Sequence, residues 1–100
     1  MEFVMVYEKV YREESSSDGK KKLITRMVRW NSQRPYVEKR ELLFDTRRGG
    51  WSVGKCRGFT AADLDFLMDL REQLAQDFKH AEACSFNPAA KTRREALASR

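Results

Sequence analysis

"WSVGKCRGFTAADLDFL", residues 51–67, changes period in its middle. Up to Arg57, large or cationic side chains (Trp51, Val53, Lys55, Arg57) alternate with small ones (Ser52, Gly54, Cys56), and Gly58 continues the pattern. A period of two belongs to a strand, and here it predicts one face carrying an indole with cations and another carrying almost nothing. From Thr60 the pattern becomes helical. Thr60 is a good N-cap, and Asp63, three positions on, can reach back to the cap and suits the positive helix end. Leu64, Leu67, Met68, Leu74, Ala75 and Phe78 recur at helical spacing, so one helix is predicted over about residues 61–83.

If that helix covers the back of the strand, Gly54, Cys56 and Gly58 allow it to approach closely. Trp51, Val53, Lys55 and Arg57 then face outward. An indole beside cations on an open sheet suits single-stranded nucleic acid, because bases stack on aromatic faces while Lys and Arg neutralise phosphates. Duplex readers usually place a helix in the major groove, and this helix is acidic. Single strands are therefore favoured over duplex.

Three more strands precede this one. Residues 2–12 (EFVMVYEKVYR), 22–30 (KLITRMVRW) and 36–44 (YVEKRELLF) are rich in β-branched and aromatic residues. They are separated by a polar, mobile turn (EESSSDGKKK) and by NSQRP, whose proline ends a ladder. With WSVGKCRGF as the fourth strand, short connections predict an antiparallel meander. The expected fold is α+β: a four-stranded antiparallel sheet followed by one long C-terminal helix. Such a helix would run roughly 35 Å, beyond the roughly 15–20 Å width of a four-stranded sheet. Phe66 and Leu70 also widen its apolar stripe, so a homodimer through the helices is expected.

Composition sets the outer bounds. One hundred residues, 41% hydrophobic and 35% charged, make one small domain with a modest core. The net charge of +5 is unevenly spread. From Lys20 to Arg57 twelve basic residues face three acidic ones (Glu38, Glu41, Asp45), whereas from Thr60 to Ala83 six acidic residues face Arg71 and Lys79. Such segregation predicts a cationic surface for a polyanion and an acidic surface facing water. Residues 1–83 form the binding domain. The basic tail, residues 84–100, is either a short helix capped by Asn87 with Pro88 following, or disordered.

Several classes are disfavoured. There is no nucleophile elbow, Walker loop or metal-ligand cluster, so no enzyme, cofactor or metal is expected. Cys56 and Cys84 form no C-x-x-C pair and read as reduced thiols, with Cys56 packed under the helix. His80 reads as an ordinary surface residue. No apolar run approaches 18 residues and the N-terminus is unlike a signal peptide, which predicts no membrane association. The expected location is the cytoplasm, associated with the nucleoid, or the nucleus in a eukaryote.

The segments "MVRWNSQRPYVEKREL" (residues 27–42) and "WSVGKCRGFTAADLDFL" together resemble the positive cofactor four family of single-stranded DNA-binding transcriptional coactivators, especially its short prokaryotic relatives. The matching features are Val28-Arg29, Arg40-Glu41, the stretch from Gly54 to Thr60 and the acidic helix start; the likeness spans about residues 3–75. It implies a curved four-stranded sheet, a homodimer whose helices pair, and single-stranded DNA lying across the sheets. It also implies that Arg29, Arg40, Lys55 and Arg57 touch the phosphodiester backbone. Lys22 and Arg26 are further candidate cations, and Trp51, ahead of Trp30, is the candidate stacking residue, since Leu42, Leu43 and Phe44 stand where the family has a strand tryptophan. Arg26 and Arg29 lie on opposite faces of their strand, and the pattern leaves open which is outward. The function expected is binding of single-stranded DNA, with RNA not separated from it, without sequence specificity. The setting would be transcription or DNA replication and repair, alongside proteins of those processes. The alternative is a protein-interaction module whose basic sheet docks an acidic partner.

Overall fold

Four strands, β1 (Met5–Ser15), β2 (Lys21–Trp30), β3 (Tyr36–Asp45) and β4 (Gly50–Arg57), precede two helices, α1 (Ala61–Asp69) and α2 (Arg71–Ala83), in a computed structural model that describes residues 3–84. The strands form one antiparallel sheet in the order β1-β2-β3-β4, so the α+β class and the meander hold. All of the basic tail beyond Cys84 lies outside the described residues.

The first connection is tighter than its composition suggests. β1 extends to Ser15, leaving Ser16–Lys20 as a hydrogen-bonded turn in which Ser16 N donates to Lys21 O at 2.8 Å and Lys20 N to the Asp18 carboxylate at 3.0 Å. Gly19, at φ 71°, takes the left-handed position that the turn needs. At the other end of the sheet Asn31 also has a positive φ, 53°. Its side-chain oxygen accepts from Val4 N at 2.9 Å while its own N–H donates to Val4 O at 2.8 Å, so it prolongs the β1 ladder by one residue.

β2 is the spine. Ile24 to Val28 are buried without interruption, by the helices on one face and on the other by side chains of the flanking strands, such as Glu38 and Glu8 against Arg26. Register sorts the side chains. Arg29, Met27 and Thr25 oppose Tyr7, Lys9 and Arg12 of β1, and Met27 and Thr25 oppose Val37 and Lys39 of β3; these share one face. Arg26 and Val28 oppose Val10 and Glu8, and then Glu38 and Tyr36; these share the other.

The helices sit on the first face, and polar bonds hold them there. The Asp63 carboxylate on α1 accepts from Lys39 Nζ at 2.6 Å and pairs with Arg12, whose guanidinium also lies 4.5 Å from the centre of the Phe66 ring. Asp77 on α2 accepts from Tyr11 Oη at 2.7 Å and from Lys9 Nζ at 3.2 Å. Arg29 donates to the Ala81 carbonyl at 2.8 Å and to those of Glu82 and Cys84, satisfying the last carbonyls of α2 with a cation at its negative end. Asp63 and Asp77 are therefore buried against the sheet, not part of a solvated acidic face.

The leucines take the opposite side. Leu64 and Met68 are 51% and 71% exposed, and with Leu67, Leu74, Ala75, Phe78 and Arg71 they line an open groove of about 390 Å³. The fully buried apolar side chains among the described residues are few: Val6, Ile24, Met27, Val28 and Ala81. The described chain thus buries carboxylates inward and leaves its helical leucines half-covered or exposed.

The helical segment is divided rather than continuous. At Leu70, φ −97° and ψ 11°, the N–H reaches back to the Leu67 carbonyl at 3.1 Å before α2 begins. No glycine or proline causes this. Asp63 and Asp77 would stand about 21 Å apart on a straight helix, while their partners Arg12 and Lys9 are about 10 Å apart along β1. A break between the two anchors shortens the span.

Candidate nucleic-acid interface

The sheet face away from the helices is where the aromatic and cationic side chains collect. Phe44 pairs with Trp51 across β3 and β4, Leu42 with Val53, and Arg40 with Cys56, while Lys22 on β2 lies opposite Leu42. Because positions 40, 42 and 44 of one strand share a face, Trp51, Val53 and Cys56 share it too. Two residues of β4, Gly54 and Lys55, stand across from Glu41 alone, which is a β-bulge. The extra residue reverses the alternation, so Arg57 pairs with Lys39 and lies on the helix face.

Three expectations about this strand are corrected by that bulge. Trp51 and Arg57 occupy opposite faces of the sheet, and Lys55, across from the helix-face position Glu41, does not share the Trp51 face either. Cys56 is exposed on the helix-free face, its Sγ 3.6 Å from Glu38 Oε1, and does not pack under the helix. Gly54 serves strand pairing rather than helix approach: a Cβ there would meet Glu41 Cβ at 3.1 Å and Glu41 O at 3.2 Å.

Trp51, 40% exposed, is the best-formed stacking surface. The Phe44 ring meets its ring edge-on at a centroid distance of 5.3 Å, and Lys22 Nζ sits 4.5 Å from its centroid. Tyr36 and Val10 are exposed on the same face. Phe44 and Tyr36 are members of the site that the residue list above lacks, although their alternation with Leu42, Arg40 and Glu38 along β3 is legible in the sequence.

The candidate cations divide sharply by partner. Arg26 is buried, donating from Nε to Glu38 at 2.8 Å and pairing with Glu8. Arg40 donates from Nη2 to Glu38 at 2.8 Å and from Nη1 to the Gly54 carbonyl at 3.2 Å, with its Nε buried and unbonded. Burial alone would raise the Glu38 carboxyl pKa, but hydrogen bonds from Arg40 and Arg26 outweigh it and hold that carboxyl below its ordinary value. Arg57 donates from Nε to Glu41 at 2.8 Å, and Lys21 joins the same carboxylate at 2.9 Å. Those two bonds, Lys21's first, hold Glu41 at about 2. Arg29 caps α2 and is committed to the fold.

Lys55 remains. It is exposed and makes no ion pair among the described residues. Lys22 has only a long contact with Glu13, 3.8 Å, besides the indole. The β1–β2 and β3–β4 turns lie at one end of the sheet, joined by Phe44 N donating to Lys20 O at 2.8 Å. That end brings Lys20, Arg47 and Arg48 alongside Lys22 and Trp51. Among the described residues no group of three or more potential metal ligands is assembled, and no helix is long and apolar enough to cross a membrane. Compared with family models, curated proteins and solved structures, the chain matches none.

Proposed function

We propose that this protein binds single-stranded DNA without sequence specificity, using the helix-free face of its sheet. The observation that carries this reading is Trp51, exposed between the Phe44 ring at 5.3 Å and the Lys22 ammonium at 4.5 Å. An aromatic surface with a lightly held cation beside it can stack a base and meet its phosphate. Lys22 is the phosphate ligand on this face, Lys55 reaches a passing phosphate from the β4 edge, where it stands in the bulge across from Glu41, and Lys20, Arg47 and Arg48, the last 3.7 Å from Asp45, extend the track at the turn end. Neither stacking nor phosphate contact reads base edges, hence the lack of sequence preference. The likeness to positive cofactor four proteins leads to the same reading, with a role in transcription or in DNA replication and repair.

The active form in this proposal is a homodimer through the helices. The groove lined by Leu64, Met68 and Leu74 faces away from the sheet, so a second copy is the occupant that would cover it. Arg71 of α2 stands in the groove itself, and an antiparallel arrangement would set it against the acidic α1 of the second copy, whose exposed charges are Asp65 and Asp69. The bulges of β1 and β4 support a curved sheet in this reading, because a bulge bends its strand and increases local twist.

A second reading has its own support. Val10, Tyr36, Trp51 and Val53 make the face partly apolar, and beside the lightly held Lys22 this suits docking of an acidic, partly apolar protein segment, although Arg26 and Arg40 are already paired with Glu38. Fluorescence anisotropy with oligothymidylate, the equivalent duplex and polyglutamate at matched salt separates the two. Tightest binding to the single strand is expected; preference for duplex or for polyglutamate overturns the proposal.

A further inference from the structure

Lys22 and Trp51 are already in contact before any ligand arrives. The ammonium lies over the ring at 4.5 Å, and the Lys22 side chain, 28% exposed, has as its other cationic contact only the 3.8 Å approach to the half-exposed Glu13. The Phe44 ring is set edge-on against the same indole. A base that stacks on the covered face of Trp51 must first displace the ammonium.

We propose that Lys22 is an exchangeable cover on Trp51, leaving the indole for the phosphate of the nucleotide whose base takes its place. The inference rests on the single-strand reading above. A cation over an exposed ring is worth about 2- to 5-fold in an equilibrium. A base stacked on an aromatic side chain is worth about 5- to 150-fold. The base therefore wins the ring, and the displaced ammonium, on its flexible four-carbon stem, is held beside the incoming phosphate. Until then the cover keeps a lone indole from sitting bare on the sheet.

Covering and phosphate contact have opposite signs in affinity, and salt separates them. Removing the Lys22 ammonium costs one phosphate contact, which salt screens, and it also abolishes the uncovering step, which salt leaves in place. Oligothymidylate of about 12 nucleotides is titrated into wild type, Lys22→Ala and Lys22→Gln across a salt series. Each protein carries Trp30→Phe, so that Trp51 reports alone. Both variants should show a log–log salt slope shallower by about 0.7. They should bind more weakly than wild type at low salt and about 2- to 5-fold more tightly at high salt, so that the lines cross. Acrylamide should quench Trp51 more effectively in the free variants. Variant lines that lie below wild type at every salt, with no crossing, overturn the exchange and leave single-strand binding intact. If the wild type itself ignores oligothymidylate at low salt, the single-strand reading fails and the exchange fails with it, whatever the quenching shows.

Discussion

Lys39 Nζ on β3 donates to Asp63 on α1 at 2.6 Å, and both side chains are nearly out of solvent, 12% and 4% exposed. The same carboxylate accepts from the Thr60 amide at 2.8 Å while the Asp63 amide donates back to Thr60 Oγ1 at 3.2 Å. One residue thus completes the capping box of α1 and joins the helix to the sheet.

Acid should loosen this joint. Hydrogen bonds from Lys39 and from the Thr60 amide hold the Asp63 carboxyl well below the usual carboxylate range. Glu41 is held at about 2 against an ordinary 4.5. A carboxyl depressed in the folded state contributes stability that is complete above its unfolded pKa and is lost as pH falls through the folded one. The thermal midpoint should change little on the alkaline side of about 4.5 and fall between there and about 2. Asp63→Asn should lower the midpoint at neutral pH and flatten the acid limb. An unchanged limb in that variant would show that Asp63 does not anchor the helix.

Arg26 should prove structural and not a DNA ligand. With Glu38 it forms a buried pair at 2.8 Å, and removing Glu38 leaves buried Arg26 to the part-exposed Glu8 and Arg40 with only the Gly54 carbonyl. Glu38→Ala should therefore destabilise by about 3–5 kcal/mol. Replacing both by apolar residues of similar volume should cost far less. Urea denaturation of the two singles and the double measures the coupling; additive effects would mean the pair is not a unit.

Trp51→Ala should cost about 1–3 kcal/mol in single-strand affinity with the salt slope almost unaltered. Lys55→Ala should instead make the slope shallower by about 0.7, as one phosphate contact is lost. Lys22 and Lys55 from each protomer alone, about four contacts, give a wild-type slope near −3, and each contact from Lys20, Arg47 or Arg48 would steepen it by about 0.7. Anisotropy titrations over a salt series test all three. Arg57→Ala, by contrast, should leave the slope nearly intact, since Glu41 already occupies its guanidinium.

Met68 is 71% exposed and Leu64 51%, so charging them disturbs little within one chain. If the helical groove pairs two copies, Leu64→Glu with Met68→Glu should give a folded monomer. Sedimentation equilibrium at micromolar concentration measures this, with circular dichroism as the check on folding. A wild-type protein that is itself monomeric there would remove the dimer.

Much of the architecture is legible locally. The four strands, their order, the cap at Thr60 and the helical character from residue 61 to 83 follow from side-chain period, turn residues and capping chemistry, all of which act within a few residues. Charge segregation and the exposed Trp51 are equally visible. The Phe44 contact and the Tyr36 position are implied by alternation along β3, though only pairing brings Phe44 against the indole.

Orientation was decided by tertiary contacts. A strand's faces alternate with period two, so the single extra residue of the Gly54–Lys55 bulge was enough to send Arg57 to the opposite face from Trp51. Helical spacing identified an apolar stripe on residues 64–78 but not what it would meet. On this sheet Lys9, Arg12 and Lys39 line the helix face, Lys39 nearly buried, and a cation taken out of solvent requires a carboxylate. Asp63 and Asp77 therefore turned inward, the leucines turned outward, and the two anchors on β1 divided the helical segment at Leu70.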